Sequence, residues 1–381
     1  MTWWIWISYW RSMGCHVLLN NKLFGENIIS EAGRLQGDRF FNGILYNHFN
    51  KDTKYFWSLI LKEDDDMKNI WLNGIMGVVV GDALGCPVQF MDREELKAGP
   101  VTDMEGYGTF DMPEGTWTDD SSLTLALLTS IREKQTIDLE DIMYRFADWL
   151  ENGKYTPYGH SFDIGNATMR SIIRYLKDRD ITTCGGRTER DNGNGSLMRI
   201  MPACIYAYEK NLEDEEAIQI IHDVAGLTHN HLRGKIACGL YYFCVKAILN
   251  EDGELTDRIQ KGIDQGVQHY GENTACAKEL SFYSRLFSLD EFAKLPEDEI
   301  KSSGYVVDTI EAAIWALVTT GSFKEAELKA VNLADDADTV GAIAGGLAGL
   351  YYGYENIPAD WLEVIKRREW IEDLCLDVLN R

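Results

Sequence analysis

Asp335, Asp336, Asp338 and Thr339 place four oxygen-bearing side chains in five positions, at the head of the uncharged run V-G-A-I-A-G-G-L-A-G-L-Y-Y. A second cluster, Thr118, Asp119 and Asp120, heads another apolar run more than two hundred residues earlier. A helix start favours one acid or hydroxyl as a cap, and the helix dipole tolerates negative charge there. Three carboxylates at the mouth of an apolar helix repel one another unless a cation sits among them. For either cluster alone, capping and cation binding both remain open. Their recurrence at two distant helix starts points to one divided cation site. Ligands that are all oxygen suit Mg²⁺, Mn²⁺ or Ca²⁺ rather than zinc. An EF-hand is excluded: counting from Asp336, positions five and twelve are Val340 and Leu347, where that loop needs an oxygen ligand and a glutamate.

Three further stretches carry polar chemistry. Asp163, in F-D-I-G-N-A-T, fits either a cap for the helix that follows or an acid in a site. In G-G-R-T-E-R-D-N-G-N-G-S-L-M-R, Gly193 and Gly195 free the backbone ahead of an expected helix, whose N–H groups could hold a phosphate. Arg187, Arg190 and Arg199 gather around that loop. It is not a Walker loop, since no Gly-Lys-Ser/Thr follows, nor a dinucleotide fingerprint, since no strand precedes it. His229 and His231 are two apart and cannot share a helical face, so local caps or hydrogen bonds are expected of them rather than a joint metal site.

The elements that must position these residues are helical. From Asn69 onward one helical pattern follows another, and strand-type alternation is nearly absent, so the fold class is all-α. The first helix carries Gly74, Gly77, Gly81 and Gly85 on one stripe, each costing about 1 kcal/mol relative to Ala. A neighbour must pack on that stripe. Residues 361–379 read as one last amphipathic helix. Residues 1–68 differ in character: they hold Trp3, Trp4, Trp6, Trp10 and Trp57 and end in an acidic hinge, so the chain divides into an appended segment, 1–68, and a domain, 69–381.

Composition bounds the partners. With 61 acidic against 37 basic residues and a net charge of −24, general nucleic-acid binding is not expected. The eight cysteines form no C-x-x-C pair, which argues against a zinc cage and for reduced thiols in the cytoplasm. No apolar run reads as long enough to cross a bilayer, the nearest candidate, 75–84, being interrupted by Asp82. The first residues lack the basic lead-in of a signal peptide. A monomer is expected.

Taken in order, G-D-A-L-G-C-P-V-Q-F, G-T-W-T-D-D-S, F-D-I-G-N-A-T, G-N-G-S-L-M-R-I-M-P, T-H-N-H, S-G-Y-V-V-D-T and D-D-A-D-T-V-G-A-I-A-G resemble the ADP-ribosylglycohydrolase family, in the style of the dinitrogenase reductase-activating glycohydrolases. The resemblance covers about residues 70–365. It implies a multi-helix orthogonal bundle with two Mg²⁺ or Mn²⁺ ions that releases ADP-ribose from a modified protein or small molecule, arginine being the acceptor in the best-known branch. Carried over by position, it makes Thr118, Asp119 and Asp120 one half of the metal site and Asp336, Asp338 and Thr339 the other. Asp335 stands where the family usually has glycine and is read as a neighbour, not a ligand. Asp163 matches an acid at the ribose end of the pocket, with His229 beside it. Gly193, Asn194, Gly195, Ser196 and Met198 match the loop beside the diphosphate, and Tyr305 an aromatic flanking the nucleotide. Asp163, Asp120 and Gln89 stand nearest the chemistry.

Gln89 departs from the family, many members of which have glutamate there. An amide cannot accept a proton usefully. The alternative is therefore a silent relative that binds ADP-ribose without cleaving it, while the two intact half-sites favour hydrolysis. A terpene-synthase-like helical enzyme also uses aspartate-rich helix starts, but D-D-S-S-L lacks the third acid of D-D-x-x-D. A general metal-dependent phosphohydrolase lacks support from a His-Asp pair.

Overall fold

Asn69 opens the described part of the chain by accepting the N–H groups of Trp71 and Leu72 on its side-chain oxygen, both at 3.1 Å. This computed structural model describes residues 69–379; the segment read over 1–68, with its tryptophans and Cys15, lies outside them. Helix α1 (Ile70–Gly85) is apolar on all sides and buried on all sides, as such a helix must be. After it come α2 (Asp119–Lys134), α3 (Leu139–Asn152), α4 (Asn166–Asp178), α5 (Met201–Glu209), α6 (Asp214–Gly226), α7 (Leu232–Asn250), α8 (Leu255–Gly271), α9 (Val306–Val318), α10 (Phe323–Val331) and α11 (Ala337–Tyr352), with shorter helices between. Among the described residues there is no strand, only the isolated bridges Tyr107–Met112, Gly186–His229 and Gly193–Tyr305. The fold is all-α.

The neighbour that the glycine stripe calls for is α11. A Cβ on Gly77 would land on the Gly345 carbonyl, and one on Gly81 on the Gly341 carbonyl. At the end of the stripe, a Cβ on Gly85 would strike the backbone of Asp338. The stripe thus delivers the end of α1 to the acidic start of α11. Gly81→Leu is expected to cost at least about 1–3 kcal/mol in chemical denaturation, because the collision is with backbone and no rotamer escapes it.

Beside this contact lies Glu327 of α10, fully buried, with neither carboxyl oxygen hydrogen-bonded. Burial pushes its pKa well above the ordinary glutamate range. Above pH ~4.3 the unfolded chain releases this proton while the folded chain keeps it, so stability falls as pH rises, by up to about 1.4 kcal/mol per unit. Glu327→Met is expected to raise stability at pH 7 by about 1–3 kcal/mol and to flatten the pH dependence of denaturation above pH ~4.3.

Three expectations are corrected. The stretch Ile70–Val88 does have the length and mean hydropathy, 1.4, of a membrane span; it is 94% buried inside the fold, and Asp82 is accommodated there by hydrogen bonds. The last helix is two, Ala359–Val364 and Arg368–Leu374, broken at Arg367 in left-handed backbone (φ +58°). The break serves docking: Lys366 N–H donates to the Gly115 carbonyl (3.0 Å) and the Trp117 indole to the Lys366 carbonyl (2.9 Å), fixing the segment that enters α2. The helix expected directly after Gly195 begins only at Met201. Turns fill 195–199, and Pro202 sits in the first turn of α5, where its missing N–H costs nothing. The described cysteines are free thiols, buried except for the half-buried Cys276.

Candidate functional site

The starts of α2, α4 and α11 and the loops that carry Gln89, Asp163, Gly193, His229 and Gly304 meet at one cavity of about 440 Å³. Thr118 caps α2, its hydroxyl accepting the Asp120 N–H at 3.4 Å, so capping is part of its role. Asp336 occupies the cap position of α11, yet its side chain makes no cap bond. Its carboxylate instead accepts Gln89 Nε2 at 3.3 Å and Asn194 Nδ2 at 2.5 Å. The two clusters touch: Thr118 Oγ1 lies 3.3 Å from Asp120 Oδ2 and 3.4 Å from Asp338 Oδ2, and Thr339 Oγ1 lies 3.5 Å from Asp120 Oδ2.

Asp119, Asp120, Asp163, Asp336 and Thr339 line the cavity, whereas Asp338 is fully buried just behind them. Burial, followed by repulsion from the neighbouring acids, holds Asp119, Asp120 and Asp338 well above the usual carboxylate range. Burial also raises Asp163 and Asp336, against hydrogen bonds that favour their charged forms. Asp163 is not a cap: α4 is capped at Gly165, and Asp163 stands in left-handed backbone (φ +51°) on the cavity wall. Asp335 is exposed and does not line this cavity.

The donor set fits a hard divalent cation on two observations. Asp120 Oδ1 and Gln89 Oε1 are buried without a hydrogen-bond partner. The donors that meet these acids are neutral hydroxyls, amides and backbone N–H groups, which leave the charge uncompensated. A different trio, Glu189, His231 and Glu279, also brings three potential ligands together, away from the cavity lining. Arg233 already engages it, with Nε 2.9 Å from Glu279 and Nη2 3.4 Å from Glu189, and its N–H goes to His231 Nδ1, which caps α7.

Gly193, Asn194, Gly195 and Met198 line the cavity at the loop, with Arg170 and Arg190. A Cβ on Gly195 would meet the His229 ring, so the glycine is needed for that approach. Burial pushes His229 down to about 3, and the ring is neutral. Arg199 Nη2 donates to Thr228 Oγ1 at 2.8 Å, which leaves the Thr228 hydrogen for His229 Nδ1, also at 2.8 Å. The ring proton then sits on Nε2, on the side facing Gly193 and Gly195.

Several expectations for this loop are revised. Arg199 is fully buried over the Phe146 ring and supports the loop from behind, donating to the Gly195 carbonyl, so it offers nothing to a phosphate. Arg187 is exposed and bonded to the Thr182 carbonyl. Ser196 is fully buried against Cys238. Tyr305 stands beside the loop through its backbone bridge to Gly193, its hydroxyl accepting from Arg233 Nη1 at 3.1 Å, and is not part of the lining.

Sequence reasoning missed two residues. Asp82 of α1 binds the start of α2, accepting from Thr118 N–H (3.0 Å), Ser121 N–H (2.9 Å) and Ser121 Oγ (2.5 Å), and burial raises it to about 7. Its signal was a lone carboxylate in an otherwise apolar helix. Arg170 lies one turn beyond Asn166 and Ala167, which also line the cavity, and helical spacing from those residues could have found it.

Comparison with known proteins identifies the family and the fold. The family model described as ADP-ribosylglycohydrolase matches residues 64–381. The chain is 33% identical over 302 residues to the ADP-ribosylarginine hydrolase Tri1 of Serratia proteamaculans, covering 79% of this chain and 76% of that protein. It is 32% identical over 295 residues to the ADP-ribosyl-[dinitrogen reductase] glycohydrolase of Rhodospirillum rubrum, covering 76% and 88%. A solved structure described as an ADP-ribosylglycohydrolase-related protein complex superposes with a TM-score of 0.67 at 30% identity, over 83% of this chain and 98% of that one.

Proposed function

Because the chain belongs to the ADP-ribosylglycohydrolase family of enzymes, we propose that it hydrolyses the bond between ADP-ribose and a modified arginine side chain, with two divalent cations, Mg²⁺ or Mn²⁺, in its acidic site. The observation that carries this reading is the meeting of residues 118–120 and 336–339 at a cavity that also reaches the 193–195 loop with Arg170 and Arg190. Oxygens of Thr118, Asp119, Asp120, Asp336, Asp338 and Thr339 would hold the cations. Bound there, they would supply Lewis acidity toward the ribose hydroxyls and toward water.

The chain's own groups do the rest. The 193–195 backbone, Arg170 and Arg190 receive the diphosphate, and His229 Nε2–H adds a neutral donor beside the loop. Asn194 ties this end to the other by holding Asp336. Asp163, whose burial favours its protonated form, protonates the leaving nitrogen as oxocarbenium character builds at the distal ribose. Arginine as the acceptor is supported by the name of the Serratia relative above. The seven free thiols among the described residues support residence in the cytoplasm.

The silent-relative reading rests on Gln89, whose Nε2 is spent on Asp336 and which offers no proton acceptor. A screen of arginine- and serine-linked ADP-ribose conjugates with added Mg²⁺ or Mn²⁺ separates the two. Turnover, fastest on the arginine linkage, is expected; binding of ADP-ribose without turnover of any conjugate would select the silent relative.

A further inference from the structure

A second cavity, of about 500 Å³, shares one wall with the first, and that wall is Phe90. Phe90 is 62% exposed and held at φ +63°, a conformation that bulky residues rarely adopt. Its position is fixed from across the wall: Phe90 N–H donates to the Asp335 carbonyl at 2.5 Å, and Asp335 N–H donates to the Met91 carbonyl at 3.2 Å. Asp335 is itself at φ +58°, where a glycine would sit without strain. The Phe90 ring meets the Phe110 ring edge-on, 6.4 Å between centroids, and stays mostly exposed, as does Asp335, so the fold holds an aromatic ring and a carboxylate along the second cavity.

We propose that this second cavity is the acceptor subsite, taking the guanidinium and flanking chain of an ADP-ribosylated arginine. The inference rests on the function proposed above. With the diphosphate on Arg170, Arg190 and the 193–195 loop, and the scissile ribose at the carboxylates, the acceptor leaves beside Gln89 and Asp336. Their chain neighbours Phe90 and Asp335 carry the wall from there into the second cavity. A guanidinium is a planar cation that stacks on an aromatic face and pairs with a carboxylate. Arg93, which also lines this space, donates to the Leu333 and Glu297 carbonyls and Ser302 Oγ at 2.8–2.9 Å, so its charge reaches Asp335 only through space and the carboxylate oxygens stay open to a guanidinium donor.

The test uses the full chain with Mn²⁺, an ADP-ribosyl-arginine peptide, an O-linked ADP-ribosyl-serine peptide, and free ADP-ribose as inhibitor. Asp335→Gly removes the carboxylate while relieving the backbone, and Phe90→Asn keeps a residue that tolerates left-handed backbone, so both are expected to fold. Each is expected to raise KM for the arginine peptide about tenfold, with kcat and the inhibition constant of ADP-ribose changed less than about threefold, and to lower the preference for arginine over serine. Where the serine peptide is not a substrate, the arginine KM alone decides. An unchanged arginine KM, or equal losses on both peptides, overturns the subsite and leaves the parent reading standing. No turnover of the arginine peptide by the unaltered protein overturns both.

Discussion

Asp120→Asn is expected to slow ADP-ribose release at least about a hundredfold and to abolish the rise in melting temperature that Mn²⁺ gives the unaltered protein. Asp120 Oδ2 is shared with the hydroxyls of Thr118 and Thr339, while Oδ1 is buried and unpartnered. The substitution keeps the shape and removes one of several buried negative charges that raise one another's pKa. Without cation the variant is therefore expected to be as stable as the unaltered protein, or more so. That opposition of sign is the useful feature. If Asp120 served only the helix start, stability and activity would fall together; a thermal melt with and without Mn²⁺, run beside the rate assay, separates the cases.

Asp163→Asn is expected to cost about 10²–10⁴ in kcat while leaving the Mn²⁺-induced stabilisation in place. Asp163 lines the cavity from a loop, in left-handed backbone that asparagine tolerates, and it does not cap α4. A group that protonates the leaving atom is needed least when the leaving group is good. The loss should therefore shrink on an ADP-ribose conjugate with a nitrophenol leaving group and be largest on the arginine linkage. Equal losses on both substrates would instead assign Asp163 to positioning the ribose.

The glycine stripe of α1 shows how far the sequence could be read. Glycines at three- and four-residue spacing required a close neighbour, and the acidic cluster headed a second helix rich in small residues. The structure joins the two, with Gly85 against Asp338. The paired helix starts were legible for the same reason: carboxylates ahead of apolar runs conflict with burial unless something else is present. What was not legible depended on direction. Arg199 and Arg190 look alike in the chain, yet one points beneath the loop onto Phe146 and the other into the cavity. The break at Arg367 leaves no signature in the amphipathic pattern of 361–379, because it is imposed by docking against Gly115 and Trp117. The strain at Phe90 is likewise tertiary, set by backbone bonds to Asp335.

Release of ADP-ribose from an ADP-ribosyl-arginine peptide, measured on protein stripped with chelator and then titrated with Mn²⁺ or Mg²⁺, tests the divided cation site most directly. No release is expected before the titration and full release after it, with the stripped protein still binding ADP-ribose through the loop and Arg170. Release at the full rate in excess chelator would contradict a cation-dependent site built from residues 118–120 and 336–339.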